Sequence, residues 1–190
     1  MKGIIVLASG RGSNFQALID ACKNNEIHGK ITALITNNGE AQAIERAQKN
    51  NIPVFVTERK NILSQCQKLN PDLIVLAGYM KILEKAFIDA FQNKIINIHP
   101  SLLPAFPGLN AQKKALDHGA QVSGCTVHFV DHGVDTGPII LQTTVPVFSH
   151  DTVDDLSARI LEKEHMTLVQ AVKLFCDDKL VVQERGVYIK

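Results

Sequence analysis

The sequence carries no charge excess: twenty Lys plus Arg against nineteen Asp plus Glu leave a formal net charge of +1 over 190 residues. A surface without a one-sign field has nothing to draw it toward nucleic acid or an anionic membrane. Long apolar runs are also missing, none approaching the roughly 18 to 20 residues that a membrane helix needs. The run Gly3 to Ala8 is shorter than a signal h-region, and Arg11-Gly12-Ser13-Asn14 follows where a small-residue cleavage site belongs. Cysteine is sparse, and Cys22, Cys66, Cys125 and Cys176 lie far apart without a Cys-x-x-Cys pair. That spacing suits free thiols in a reducing cytosol rather than a zinc cage or disulfide framework. No linker, repeat or low-complexity tract interrupts the chain. With 45% hydrophobic and 21% charged residues it suits one globular domain in the cytoplasm.

What is present is a pattern of short aliphatic runs alternating with helical ones. Gly3 to Ala8, Ile31 to Thr36, Ile52 to Val56, Leu73 to Ala77 and Ile95 to Ile98 are uninterrupted, as in parallel strands buried on both faces. Phe15, Leu18, Ile19 and Cys22 repeat with helical spacing, behind Ser13 or Asn14 as a cap. The pattern predicts βαβ architecture. After residue 120, Cys125, Val127 and Phe129 alternate with Thr126 and His128, predicting a strand with two unlike faces; Ile139 to Val147 makes another. Asp151 to Phe175 reads as a long helix opened by Asp151 and Asp154, with a stripe of Val153, Leu156, Ile160, Thr167, Leu168, Ala171 and Phe175.

Four segments could carry chemistry. Ser9-Gly10-Arg11-Gly12-Ser13-Asn14 joins a strand to a helix, and its glycines let backbone amides approach an anion. It is either a phosphate cradle or an ordinary turn; Phe15 stands where a dinucleotide fingerprint needs its third glycine, and the Walker pattern is absent. Asn97 and His99 lie two apart at the end of a strand, so their side chains share one face where ligands gather in such sheets. A core histidine beside a turn asparagine would look the same.

The loop Asp131-His132-Gly133-Val134-Asp135-Thr136-Gly137-Pro138 offers two carboxylates to a nearby imidazole, or is a polar turn. Strand and loop spacing argues against His128, Asp131, His132 and Asp135 as metal ligands, and Leu161 breaks a His-x-x-Glu-His zinc pattern at Glu164-His165. No metal is expected. Glu164 falls on the apolar stripe of the long helix, where an unpaired charge costs several kcal/mol. It is a stripe irregularity or the partner of a ligand ammonium.

Taken in order, Ser9-Gly10-x-Gly12-Ser13-Asn14, Leu76 to Leu83, Asn97-Ile98-His99-Pro100-Ser101-Leu102-Leu103-Pro104, Phe106-Pro107-Gly108 and Asp135-Thr136-Gly137-Pro138 resemble the glycinamide ribonucleotide formyltransferases, folate-dependent transformylases of purine biosynthesis. The resemblance implies a Rossmann-like α/β fold: a doubly wound, mostly parallel sheet with an antiparallel C-terminal extension and a long helix. It implies a nucleotide-binding half, 1–100, and a folate-binding and catalytic half, 101–190, of one domain.

It further implies that Gly12, Ser13 and Asn14 hold the ribonucleotide phosphate and that Glu164 grips the glycinamide amine. Met80, Lys81, Ile82, Leu83 and the loop Asp131, His132, Gly133, Val134 and Asp135 would line the pocket for 10-formyltetrahydrofolate, whose formyl group meets Asn97, His99 and Asp135. Asn97 and His99 would stabilise the oxyanion, and Asp135 would assist proton transfer. The resemblance suggests a cis Leu103-Pro104 bond. Lys81 replaces an arginine of many relatives, Leu161 replaces a polar contact of some, and either Arg59 or Lys60 would meet the folate tail.

The expected partners are small molecules only, with no nucleic acid and no membrane. The methionyl-tRNA formyltransferases share the Asn-x-His-Pro run but are longer, and the formyltetrahydrofolate hydrolases carry an N-terminal regulatory domain for which Met1-Lys2 leaves no room. A non-catalytic nucleotide-binding module would account for the glycine turn alone.

Overall fold

The computed structural model describes Met1–Lys190. Its centre is a seven-stranded sheet in the order β3-β2-β1-β4-β5-β6-β7. Strands β1 (Lys2–Leu7), β2 (Gly29–Thr36), β3 (Val54–Val56), β4 (Leu73–Leu76) and β5 (Ile95–His99) are mutually parallel. The uninterrupted aliphatic runs have the reason expected of them. Ile4 and Val6 of β1 pack into one core while Ile5 and Leu7 pack into another on the opposite face. Leu73 and Val75 divide from Ile74 and Leu76 in the same way. Each strand is buried twice, which only a layer of helices on both sides provides.

Those helices are α1 (Ser13–Lys23), α2 (Ala43–Lys49), α3 (Ile62–Leu69), α4 (Lys85–Ala90), α5 (Ala111–Asp117) and α6 (Val153–Cys176). Beyond β5 the direction reverses: β6 (Val122–Phe129) runs antiparallel to β5, and β7 (Ile139–Pro146) antiparallel to β6. The chain ends in a separate hairpin of β8 (Leu180–Gln183) and β9 (Gly186–Ile189), for which no sequence expectation was made.

Three expectations need correcting. The cap of α1 is Gly12, in the left-handed conformation at φ 70°, and not Ser13 or Asn14, which are the first two helical residues. Helix α6 is opened by Thr152, whose hydroxyl accepts from the Asp155 amide while the Asp155 carboxylate accepts from the Thr152 amide. Asp151 lies outside the helix, gripped by both terminal nitrogens of Arg159, and Val153 faces solvent. Strand β6 has two buried faces from Ser123 onward because α6 covers one and the Ser101–Phe106 segment the other: Thr126 Oγ1 donates to Ser101 O at 2.7 Å and accepts from Leu103 N at 3.0 Å. The Leu103–Pro104 bond is cis. No helix is long and apolar enough to cross a membrane.

Candidate active site

The switch from parallel to antiparallel pairing occurs at β5, and its carboxyl end carries Asn97 and His99. His99 is 5% exposed and Asn97 partly buried. Asp135 arrives from the β6–β7 loop, held at φ 55°, and binds both. Its Oδ1 accepts from Asn97 Nδ2 at 3.4 Å, and its Oδ2 lies 3.3 Å from His99 Nδ1. A second bond to Oδ2 comes from the Gly108 amide at 2.8 Å. Burial pushes this carboxyl upward, but the His128 imidazole, the Gly108 amide and the His99 imidazole together outweigh it and hold Asp135 at about 2.

His99 is poised between two oxygens. Its Nε2–H donates to the Phe106 carbonyl at 2.9 Å while Nδ1 faces the Asp135 carboxylate. Burial lowers the imidazole below its ordinary value, against the upward pull of the Phe106 carbonyl and Asp135. A neutral ring satisfies only one of the two oxygens, so a second proton, once taken up, has a carboxylate waiting for it.

His128 fixes the amide. Its Nδ1–H donates to Phe129 O at 2.8 Å, which leaves Nε2 as the acceptor for Asn97 Nδ2 at 3.2 Å. The Asn97 amide nitrogen thus faces two acceptors, His128 Nε2 and Asp135 Oδ1, which fix its orientation. The sequence offered His128 only as a metal ligand; its signal as a positioner was the alternation that puts it beside Asn97 in the β5–β6 register. Of the other candidate metal ligands, Asp131 accepts from Thr136 and the Gly133 amide, and His132 pairs with Asp89 at 3.1 Å. No group of three or more such side chains is arranged to hold a metal.

The glycine turn lies at the carboxyl end of β1. No side chain caps α1, so its first-turn amides lack an internal partner. Glu164, 8% exposed, reaches this turn from α6, and Asn14 Nδ2 donates to its Oε2 at 2.7 Å. Burial raises the Glu164 carboxyl, and the Asn14 donor only partly opposes this. Asn14 Oδ1 and, one residue past Glu164, His165 Nε2 are buried without partners. A carboxylate with one neutral donor and no cation in reach, beside an orphaned amide oxygen, is a place built for an outside donor.

The residues assigned to a folate pocket divide. Asp131, His132 and Asp135 line a cavity of about 850 Å³ together with Leu103, Pro104 and Val130, a volume suited to a drug-sized ligand. Gly133 and Val134, in the same loop, face solvent and do not line it. Leu83 lines a smaller cleft with Arg59 and Lys60. Met80, Lys81 and Ile82 are exposed and line neither. Arg59 pairs with Glu84 at 3.6 Å and Lys60 with Glu58 at 2.8 Å, so neither is singled out for a tail. Leu161 is half-buried. Ser9 was missed as a connector: its hydroxyl donates to Asn37 Oδ1 at 2.6 Å and accepts from the Met80 amide at 3.2 Å, tying the glycine turn to the Met80 segment.

With this geometry in view, residues 2–172 match the family model described as formyl transferase. The chain is 39% identical over 196 residues to the phosphoribosylglycinamide formyltransferase of Escherichia coli, covering 98% of this chain and 92% of that protein. It is 42% identical to the enzyme of the same name from Haemophilus influenzae, covering 100% and 94%. The crystal structure of glycinamide ribonucleotide transformylase 1 from Symbiobacterium toebii superposes with a TM-score of 0.97 at 44% identity, over 100% of this chain and 94% of that one.

Proposed function

The chain belongs to the formyl transferase family, and on that premise we infer that it moves the formyl group of 10-formyltetrahydrofolate to the primary amine of glycinamide ribonucleotide, in purine biosynthesis. The observation that carries the reading is the meeting of Asn97, His99 and Asp135, which is what amine attack on a formamide requires. Glu164, desolvated beside Asn14, holds the glycinamide amine. The uncapped amides at Gly12, Ser13 and Asn14 hold the phosphate. The cavity along Asp131, His132 and Asp135 receives the folate, with Gly133 and Val134 in the same loop; Met80, Lys81, Ile82 and Leu83 lie outside its walls and would meet the folate beyond them.

In the reaction the amine lone pair forms a bond to the formyl carbon and the carbonyl oxygen becomes an oxyanion. Asn97 donates an amide hydrogen to that oxygen. His99 donates Nε2–H, the oxyanion taking the place of the Phe106 carbonyl; a solvent proton taken onto the ring as the negative charge grows, and returned to solvent as the oxyanion collapses, is stabilised by Asp135. Donors of this kind are worth about 10² to 10³ in rate. The bond from carbon to the folate nitrogen then breaks, and the proton leaving the amine passes by way of Asp135 to that nitrogen, which leaves neutral. No step needs a metal. The same reading keeps the protein in the cytoplasm with small molecules as its only partners, and makes 1–100 the nucleotide half and 101–190 the folate half of one domain.

The test is an absorbance assay of folate turnover with glycinamide ribonucleotide as acceptor. Formyl transfer to the ribonucleotide supports the reading. Turnover only with methionyl-tRNA, formate release without an acceptor, or binding of NAD or ATP by calorimetry with no turnover would each overturn it.

A further inference from the structure

The carbonyls of the glycine turn do not point where its amides do. Gly10 O accepts from the Ala43 amide at 3.1 Å, and Arg11 O accepts from Arg46 Nε at 2.9 Å. Both acceptors are thus pulled toward α2. Because a trans peptide holds its carbonyl and N–H on opposite sides, the amides of Arg11 and Gly12 are turned away from α2. Arg46 is itself braced, with Nη1 donating to Gln16 Oε1 at 3.4 Å on α1. The fit leaves no slack: a Cβ on Gly12 would stand 2.8 Å from Ala43 Cβ.

We propose that Arg46 is a positioning residue for phosphate recognition, fixing the Arg11–Gly12 peptide so that the turn presents its amides to the ribonucleotide phosphate. This rests on the phosphate-binding reading of the turn given above. The agent is the hydrogen bond from Nε, not the positive charge. Arg46 touches no substrate, and the peptide it fixes would otherwise be free to rotate its carbonyl toward the anion, replacing attraction with repulsion.

Two substitutions separate hydrogen bond from charge. Arg46→Gln keeps a donor nitrogen at the position of Arg Nε and removes the charge. Arg46→Lys keeps the charge and puts a methylene there. The expected KM for glycinamide ribonucleotide rises about tenfold in Arg46→Lys and in Arg46→Ala, the loss of one charge-assisted hydrogen bond. In Arg46→Gln it stays within about threefold, since a neutral donor recovers part of that bond.

In all three, kcat and the folate KM stay near those of the parent. With the ribonucleoside lacking its phosphate as acceptor, the differences vanish. Independently of turnover, thermal stabilisation by inorganic phosphate should be lost in Arg46→Lys and kept in Arg46→Gln. A parent protein that fails to formylate the ribonucleotide defeats the proposed function, while the phosphate titration still tests the turn. Arg46→Lys behaving as the parent while Arg46→Gln is impaired would overturn the positioning role, as would an equal penalty with the nucleoside.

Discussion

Replacing Asp135 by Asn tests the centre of the site with little disturbance of its shape. The residue sits at φ 55°, a left-handed conformation that Asn tolerates as well as Asp, so the loop has no backbone reason to move. What changes is the charge. The fall of the carboxyl from 3.8 to about 2 corresponds to about 2 kcal/mol of folded-state stabilisation at neutral pH. Because the folded value is the lower one, this contribution is present above about pH 4 and is lost as the pH falls toward 2.

Asp135→Asn should therefore melt below the parent at pH 7, and the gap should close on acidification toward pH 2. Catalysis should suffer more than stability. His99 loses the anion that offsets its burial, and the ring no longer gains by taking a second proton. The expected loss is about 10² to 10³ in kcat with both KM values near those of the parent, the pattern of an interaction made only in the transition state. Steady-state folate absorbance between pH 6 and 9 reads it. A kcat within about tenfold of the parent at pH 7.5 would refute the pairing of Asp135 with His99 as the source of the rate.

Glu164→Gln should trade function for stability: with the folded value of Glu164 raised, its ionisation opposes folding as the pH rises through that value. The variant should thus melt higher than the parent at pH 8, by roughly 2–4 °C per kcal/mol recovered, match it in acid, and bind glycinamide ribonucleotide poorly at every pH. An unchanged KM would remove Glu164 from the amine site. Gly12→Ala combines a positive φ of 70° with a 2.8 Å approach to Ala43 Cβ. Denaturant titration should show at least about 1–2 kcal/mol lost, with the ribonucleotide KM raised and the folate KM unmoved. Thr126→Val breaks the bonds from Leu103 N and Gln142 Nε2 and to Ser101 O. Leaving those buried groups unpaired should cost about 1–3 kcal/mol by the same titration.

The fold was legible where burial on two faces left a mark. Ile4 to Leu7 and Leu73 to Leu76 are apolar at every position because each neighbour enters a different core, and an uninterrupted run records that directly. Glu164 was legible for the opposite reason, as a charge out of place on an apolar stripe. The α1 cap was misread because Ser13 and Asn14 are good capping residues in isolation, while the tight approach of Ala43 demands a glycine at position 12. The C-terminal hairpin left no expectation, since half-exposed four-residue strands carry little periodicity. Arg46 and the Phe106 carbonyl were invisible as parts of the site, and Ser9 was legible only as a member of the glycine turn, not as its tie to Asn37 and the Met80 segment. The contacts of Arg46 and Phe106 run through backbone carbonyls, which every residue has and no motif spells.

The direction change at β5 explains why the chemistry gathers there. In the parallel half, every strand delivers its carboxyl end, and the loop after it, to the same edge of the sheet: the glycine turn after β1, the Met80 segment after β4, Asn97 and His99 at the end of β5. Running β6 antiparallel sets His128 opposite Asn97 and carries the strand toward the amino end of β5, where Phe129 stands opposite Ile96. Asp135 lies 38 residues beyond Asn97 in the sequence; it reaches Asn97 and His99 because the connection from β6 to β7 folds back over β5. The reversal leaves β6 needing cover on its second face, which Ser101–Phe106 supplies through Thr126. That cover brings the Phe106 carbonyl to His99 and the Gly108 amide to Asp135. The segment that completes the core and the one that sets the charge state of the site are the same stretch of chain.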